Sequence, residues 1–198
     1  IDPALRTQTL LGDYTLLAAG RLAYEKGFDR LLNAFAVIRK WLPQWHLVIL
    51  GEGSLRNVLE QQCRHLGLQD RVALPGAAGN IGDWFAAAEA YVMTSRSEGF
   101  GNTLAEALSY GLPTVAVDCE TGPREILRHE KDGLLVPQDD QQALINALNR
   151  LMSDAGLRQR FAKRAVEVRE RLAVEDIAGQ WEALFAEIMD LNRKTVNK

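Results

Sequence analysis

The chain has 198 residues, 47% of them apolar and 25% charged, a composition that suits an ordinary globular domain and excludes intrinsic disorder. Its 23 basic and 26 acidic side chains leave a formal net charge of -3, which argues against nucleic acid as a partner. Two cysteines, Cys63 and Cys119, supply neither a disulfide framework nor a zinc site and suit a reducing compartment. No apolar run reaches the roughly 18 residues of a membrane span, and no signal peptide opens the chain, so a cytoplasmic location is expected. The first residue is Ile1, and a piece of a larger protein is expected.

Short β-rich runs alternate with longer helical patterns. Thr15–Ala19 reads as a buried strand, and residues 28–41 as a helix with Leu31, Leu32, Phe35 and Ile38 on one face. His46–Leu50 is the second strand. Ser54 is placed to cap a helix running to about Leu66, which Gly67 stops. Arg71–Leu74 is a third strand, residues 81–88 a helix, and Ala90–Met93 a fourth strand. A helix over 102–110 closes at Gly111, Pro113–Val117 is the fifth strand, and Pro123 opens a short helix. Gly133–Val136 is the sixth strand. Asp139 and Asp140 then precede a helix carrying Leu144, Leu148 and Leu151, where negative charge meets the positive dipole end. Beyond about Ser153 two helices are expected, over 157–172 and 174–191. The second carries Ile177, Trp181, Leu184, Phe185 and Ile188 as an apolar stripe.

Strands separated by helices predict an α/β fold: a Rossmann-like, doubly wound parallel sheet of about six strands with helices on both faces. The expected organisation is a single domain over 1–198, with its core at about 14–152 and a helical C-terminal tail at about 154–192. Ligands of such sheets sit at the carboxyl ends of the strands, so the loops that follow strands carry the chemistry.

The first of these loops is Gly20-Arg21-Leu22-Ala23-Tyr24-Glu25-Lys26-Gly27. Arg21 and Lys26 suit a diphosphate, one as a planar fork and the other as a compact charge; two solvated surface charges fit the local sequence as well. The second loop begins Gly51-Glu52-Gly53 like a dinucleotide fingerprint, but Arg56 stands where the third glycine belongs. A nucleotide approaching bare backbone and a plain tight turn both remain open there. The loop after the fourth strand is the strongest feature. Residues 94–106 run from a strand end through Gly99, Phe100 and Gly101 into a helix that starts near Asn102 and Thr103. Exposed amides and a helix dipole together suit an anion. Glu98 and Glu106 flank that position, where carboxylates are better placed to grip hydroxyl groups than phosphate.

These motifs, in this order, resemble the C-terminal, nucleotide-sugar-binding domain of family 4 (group 1) retaining glycosyltransferases, one half of a GT-B fold. The resemblance rests on the Glu98/Glu106 pair with Gly99-Phe100-Gly101 between, on Gly20-Arg21-Leu22 with Lys26-Gly27, on Leu50-Gly51-Glu52-Gly53, on Leu74-Pro75-Gly76 and on Asp132-Gly133-Leu134-Leu135-Val136. It spans roughly residues 15–152. It implies that Arg21 and Lys26 neutralise the donor diphosphate, that Glu98 contacts the transferred sugar, and that Glu106 holds the ribose. Gly20, Gly51, Gly53 and the backbone from Gly99 to Thr103 would approach the donor, and the Leu74-Pro75-Gly76 turn would line the base pocket. Relatives often carry a Gly-Gly pair in the loop after the fifth strand, where this chain has Thr121-Gly122-Pro123-Arg124-Glu125.

The resemblance further implies retention of configuration by a front-face mechanism, no metal and no cofactor, a nucleotide sugar (UDP as the first choice) as substrate, and an N-terminal acceptor domain as partner. The apolar stripe near the C-terminus would pack toward that domain. The rival readings are a nucleotide-binding module without turnover and a sugar-nucleotide epimerase. His46, His65 and His129 lack partners at metal-ligand spacing, and the four tryptophans read as packing residues. The basic run from Arg158 to Arg171 reads as a solvated helix face, with peripheral contact to an anionic membrane as the sharper alternative.

Overall fold

The computed structural model describes residues 14–196, with side chains described as far as residue 189; the outer ends of the predicted domain, 1–13 and 197–198, lie outside the described residues. The chain divides into two compact units, one running to Val166 and the other starting at Glu167.

The first unit is built on six parallel strands: β1 (Tyr14–Ala19), β2 (Trp45–Leu50), β3 (Val72–Gly76), β4 (Ala90–Met93), β5 (Thr114–Asp118) and β6 (Gly133–Pro137). They lie in the order β3-β2-β1-β4-β5-β6, and each pairing is parallel. The strands read as unbroken apolar runs because both faces are covered. Leu16, Leu17 and Ala18, which alternate across the sheet, are all fully buried. The helices of this unit are α1 (Phe28–Ile38), α2 (Arg56–His65), α3 (Ile81–Ala87), α4 (Asn102–Ser109), α5 (Pro123–Ile126), α6 (Gln141–Ser153) and α7 (Ala155–Ala165).

On one face, Leu31, Leu32 and Phe35 of α1, Leu59 of α2, Leu148 of α6 and Phe161 of α7 join Leu16, Leu47, Ile49, Val92 and Val115 in one apolar cluster. Each leucine buried this way stabilises the fold by about 1.5–3 kcal/mol. On the other face, Phe85 of α3 meets Tyr91 of β4 edge-on, with ring centroids 5.8 Å apart. Leu104, Ala107 and Leu108 of α4 are buried as well.

Some boundaries differ from expectation, each for a physical reason. Ser54 does not cap α2. Leu55 occupies the N-cap position without a side-chain bond; the Arg56 amide that a Ser54 cap would take donates to the Gly53 carbonyl at 3.2 Å, and the Leu55 amide donates to the Leu22 carbonyl at 2.9 Å. The third strand runs on through Pro75 and Gly76, so these residues are strand rather than turn. Proline is tolerated there because β3 is an edge strand. The Asp140 carboxylate does cap α6, accepting the Ala143 amide at 2.8 Å. Arg158 does not lie free on a solvated face; it donates to the Leu151 and Met152 carbonyls at 3.0 and 2.6 Å, at the end of α6.

The second unit comprises α8 (Val168–Arg171) and α9 (Val174–Val196), so the helix expected over 157–172 is two pieces. Along α9, Trp181, Leu184, Phe185 and Ile188 are exposed. Trp45 and Trp84 are buried, but Trp41 and Trp181 are 54% and 55% exposed, so only two of the four tryptophans are core residues.

Candidate functional site

The sheet grows outward in both directions from the β1·β4 pair, and the loops leaving these two strands meet at their carboxyl ends. The first loop ends in a 3-10 turn, Tyr24–Lys26, closed by Gly27 at φ 64°. A side chain at Gly27 would collide with the Thr94 carbonyl at the end of β4, so this left-handed residue must be glycine. The Thr94 hydroxyl donates to the Lys26 carbonyl at 3.0 Å. The backbones of the two loops are thereby locked together.

That lock sets the Lys26 side chain beside Glu98. Lys26 Nζ donates to Glu98 Oε1 at 2.7 Å, and Ser95 Oγ donates to the same oxygen at 2.6 Å. The Glu98 side chain is 9% exposed and that of Lys26 is 21% exposed. The Thr121 hydroxyl donates to the Glu98 backbone carbonyl, which draws in the loop after β5.

Behind Glu98 lies Tyr91, wholly buried in β4. Its hydroxyl points to the Ala19 carbonyl at 3.5 Å, at the very end of β1. Burial pushes this phenol far above its ordinary range; a hydrogen bond with the Thr103 side chain works against that, while the charges of Glu98 and Glu106 add to it. The buried hydroxyl thus sits at the end of β1, within the electrostatic reach of Glu98 and Glu106. Helix α4 begins here, behind Gly101. The Leu104 and Ala105 amides turn back to the Gly101 carbonyl at 2.9 and 3.2 Å. Those of Asn102 and Thr103 have no acceptor within the helix and add partial positive charge to the dipole end. Phe100 is 41% exposed beside them. No atom would lie within 4 Å of a side chain built at Gly99, so the backbone there is open to a ligand.

Arg21 leaves the end of β1 with its side chain exposed and, among the described residues, without an ion-pair partner. Glu106 is exposed as well. A cation, an internally paired lysine and carboxylate, a helix start and a second carboxylate thus share one end of the sheet. Such a set can hold an anion between hydroxyl-bearing groups.

The second loop has a different part. Gly51 and Gly53 lie with their α-carbons against the backbone of Gly20 and Leu22, and the Leu22 amide donates to the Glu52 carbonyl at 2.9 Å. Both glycines serve the close packing of one loop on the other. Arg56, at the position of the missing third glycine, forks onto Glu52 at 2.8 and 2.6 Å. It also reaches the Leu74 carbonyl at 3.1 Å and the Gly51 carbonyl at 3.3 Å. Leu74 is tied to this loop through the guanidinium and Gly76 through its carbonyl, which accepts the Gly51 amide at 2.9 Å; the same guanidinium holds the Glu52 carboxyl below its usual range.

Sequence reasoning passed over several residues that build this site. Ser95 and Arg96 lie inside the strand-end motif, and their signal was a hydroxyl and a cation just before Glu98. Tyr91, Asp29, Thr121 and Gln138 come from other segments. His129 accepts the Leu135 amide at 3.0 Å, and His46 contacts Arg71 at 3.2 Å; both contacts are structural. Among the described residues, no group of three or more His, Cys, Asp or Glu is arranged to hold a metal. Among them, too, no helix is long and apolar enough to cross a membrane.

The sequence pattern of the family described as glycosyl transferases group 1 matches residues 5–168. The chain belongs to this family. An exopolysaccharide phosphotransferase of Streptomyces coelicolor is 37% identical to this group 1 chain over 190 residues, 96% of the chain and 20% of that protein. A lipopolysaccharide core biosynthesis glycosyltransferase of Rhizobium meliloti, LpsD, is 34% identical over 179 residues, 90% of the chain and 51% of that protein. Among solved structures, Anabaena HepE in complex with UDP superposes with a TM-score of 0.82 at 27% identity, covering 94% of the chain and 54% of HepE. The chain thus spans about half, or less, of the length of these relatives, and its Rossmann-like sheet matches one half of a GT-B fold.

Proposed function

We propose that this chain is the donor-binding half of a retaining glycosyltransferase that takes a nucleotide diphosphate sugar, with UDP as the nucleotide. The observation that carries this reading is the Lys26–Glu98 contact at 2.7 Å beside the start of α4, a cation and an acid where a phosphate and a sugar would adjoin. The UDP held by HepE supports the choice of base. In this reading Arg21, Lys26 and the amides of Asn102 and Thr103 neutralise the diphosphate without a metal. Glu98 takes hydroxyls of the transferred sugar and Glu106 takes those of the ribose. Leu74, Pro75 and Gly76 flank the base.

The chemistry then follows from charge. The bond between the anomeric carbon and the phosphate oxygen breaks, leaving an oxocarbenium-like centre. The positive groups stabilise the negative charge growing on the leaving diphosphate. The acceptor hydroxyl attacks on the same face and passes its proton to the departing phosphate oxygen, so the configuration is retained. Glu98 orients the sugar in this scheme and forms no covalent bond. The acceptor site belongs to an N-terminal domain, a reading supported by the partial coverage of the relatives, and the chain alone would turn over little. The protein would act in the cytoplasm, with exposed Arg160, Lys163 and Arg164 available to an anionic membrane surface.

A thermal-shift series with UDP, GDP and ADP tests this reading. At 100 times its dissociation constant a nucleotide adds about 2.7 kcal/mol of stability, which raises Tm by about 5–11 °C in a chain of this size. The expected result is a shift with UDP that EDTA leaves unchanged. No shift with any of the three at millimolar concentration would overturn it. Binding without transfer after joining to the N-terminal half would favour the module without turnover, and release of isomerised sugar without acceptor would favour the epimerase.

A further inference from the structure

One well-bonded residue beside the site, Arg96, is given no part by the motif or by the proposed chemistry. Arg96 stands two positions before Glu98, and its side chain is 14% exposed. Its guanidinium forks onto both oxygens of Asp29, at 2.8 and 2.7 Å. The same group donates to the Tyr24 carbonyl at 2.7 Å and lies over the Tyr24 ring, 4.1 Å from its centroid. Its backbone amide donates to the Glu25 carbonyl at 2.7 Å. Its backbone carbonyl accepts from Gln138 Nε2, also at 2.7 Å, and the Gln138 carbonyl accepts from Arg30 Nη1 at 2.6 Å. Every one of these partners lies in the loop that carries Lys26, in the first turn of α1 that follows it, or in the segment after β6.

We infer that Arg96 is a positioning residue, and that the Tyr24–Asp29–Arg96 clamp sets the spacing between Lys26 and Glu98 so that phosphate and sugar are gripped in one alignment. The inference rests on the donor-site reading above. The Thr94–Lys26 and Arg96–Glu25 hydrogen bonds fix where the two loops meet, and the Arg96 guanidinium adds the side-chain brace between Tyr24, Asp29 and the segment leading to Glu98. A bidentate fork fixes angle as well as distance, and lysine in place of Arg96 would keep the charge but not the plane. Asp29 is kept ionised by the same contact, which holds its carboxyl below the usual carboxylate range. Arg96 touches neither phosphate nor sugar in this scheme; it acts through the two residues that do.

The test compares wild type, Arg96→Met, Arg96→Lys and Asp29→Asn by thermal denaturation and by calorimetry with UDP and with UDP-glucose, well below each midpoint. In the wild type UDP and UDP-glucose both bind, and the sugar changes the affinity. In folded Arg96→Met the affinity for UDP falls about tenfold or more, and the difference between UDP and UDP-glucose disappears. Arg96→Lys and Asp29→Asn move in the same direction by less. Asp29 is half exposed and its replacement is isosteric, so Asp29→Asn decides the matter if Arg96→Met does not fold. A purely structural role would lower the midpoints and leave both affinities of the folded variants unchanged, and that result overturns the inference. Absence of any binding by wild type would overturn the donor-site reading itself, a failure visible before any variant is measured.

Discussion

Lys26 and Glu98 are coupled strongly enough to be measured by a double-mutant cycle. At 2.7 Å two unit charges attract by about 6 kcal/mol at an effective dielectric constant of about 20. That is a gross figure, because both groups have given up most of their water: Glu98 is 9% exposed and Lys26 is 21% exposed. Desolvation offsets most of the attraction, and a net coupling of about 1–3 kcal/mol is expected for groups in direct contact. Lys26→Met strands a nearly buried carboxylate with only the Ser95 hydroxyl, and costs about 2–3 kcal/mol. Glu98→Gln leaves an amide oxygen for both donors and a lysine with some access to water, and costs about 1 kcal/mol. The double variant has no charge to strand, so it should be more stable than Lys26→Met alone. Urea denaturation of the four proteins measures these terms, and each kcal/mol corresponds to about 2–4 °C in Tm. Additive losses within about 0.5 kcal/mol would refute the view that this contact is an organised element of the site.

Two further outcomes follow from buried ionisable groups. Glu89 is half-buried and accepts the Thr15 amide at the start of β1, and burial raises its carboxyl above the usual range. A folded-state value above the unfolded one, about 4.3, means that stability falls as pH rises through the folded value, and the penalty stands at neutral pH. Glu89→Gln keeps an acceptor for Thr15, so it should raise Tm at pH 7 and leave it unchanged at pH 3.5; equal changes at both would contradict the argument. Burial also pushes the Cys63 thiol up to about 11, and the nearby Glu60 charge pushes the same way. The Cys119 thiol is raised by burial with the Glu98 charge adding. Neither should react readily with a thiol reagent at pH 8 in the native protein, while both should react in urea. Rapid stoichiometric labelling without denaturant would show that the packing around them is wrong.

The strands were legible because burial on both faces writes itself as an apolar run, as in Leu16-Leu17-Ala18. The candidate anion site could be written down from the sequence because its parts are neighbours in the chain: a strand end, glycines and a helix start lie within residues 94–106. The start of α2 was misread because its real constraint is a hydrogen bond from Leu55 to Leu22, and a local capping rule contains no term for that contact. That another loop presses on Gly51 and Gly53 was hidden from the sequence for the same reason. Arg56 looked like a defect in a motif and is the tie between that loop and β3.

Periodicity, glycine placement and charge spacing are short-range properties, so the amino-acid order alone determined a doubly wound α/β fold, the loops at the strand ends and which side chains on them carry charge. Which charges meet was decided by strand order. Placing β1 beside β4 brings Lys26 to Glu98 across 72 positions of sequence and Asp29 to Arg96 across 67. Contacts of that span depend on how the sheet is wound, and only the folded chain contains that information.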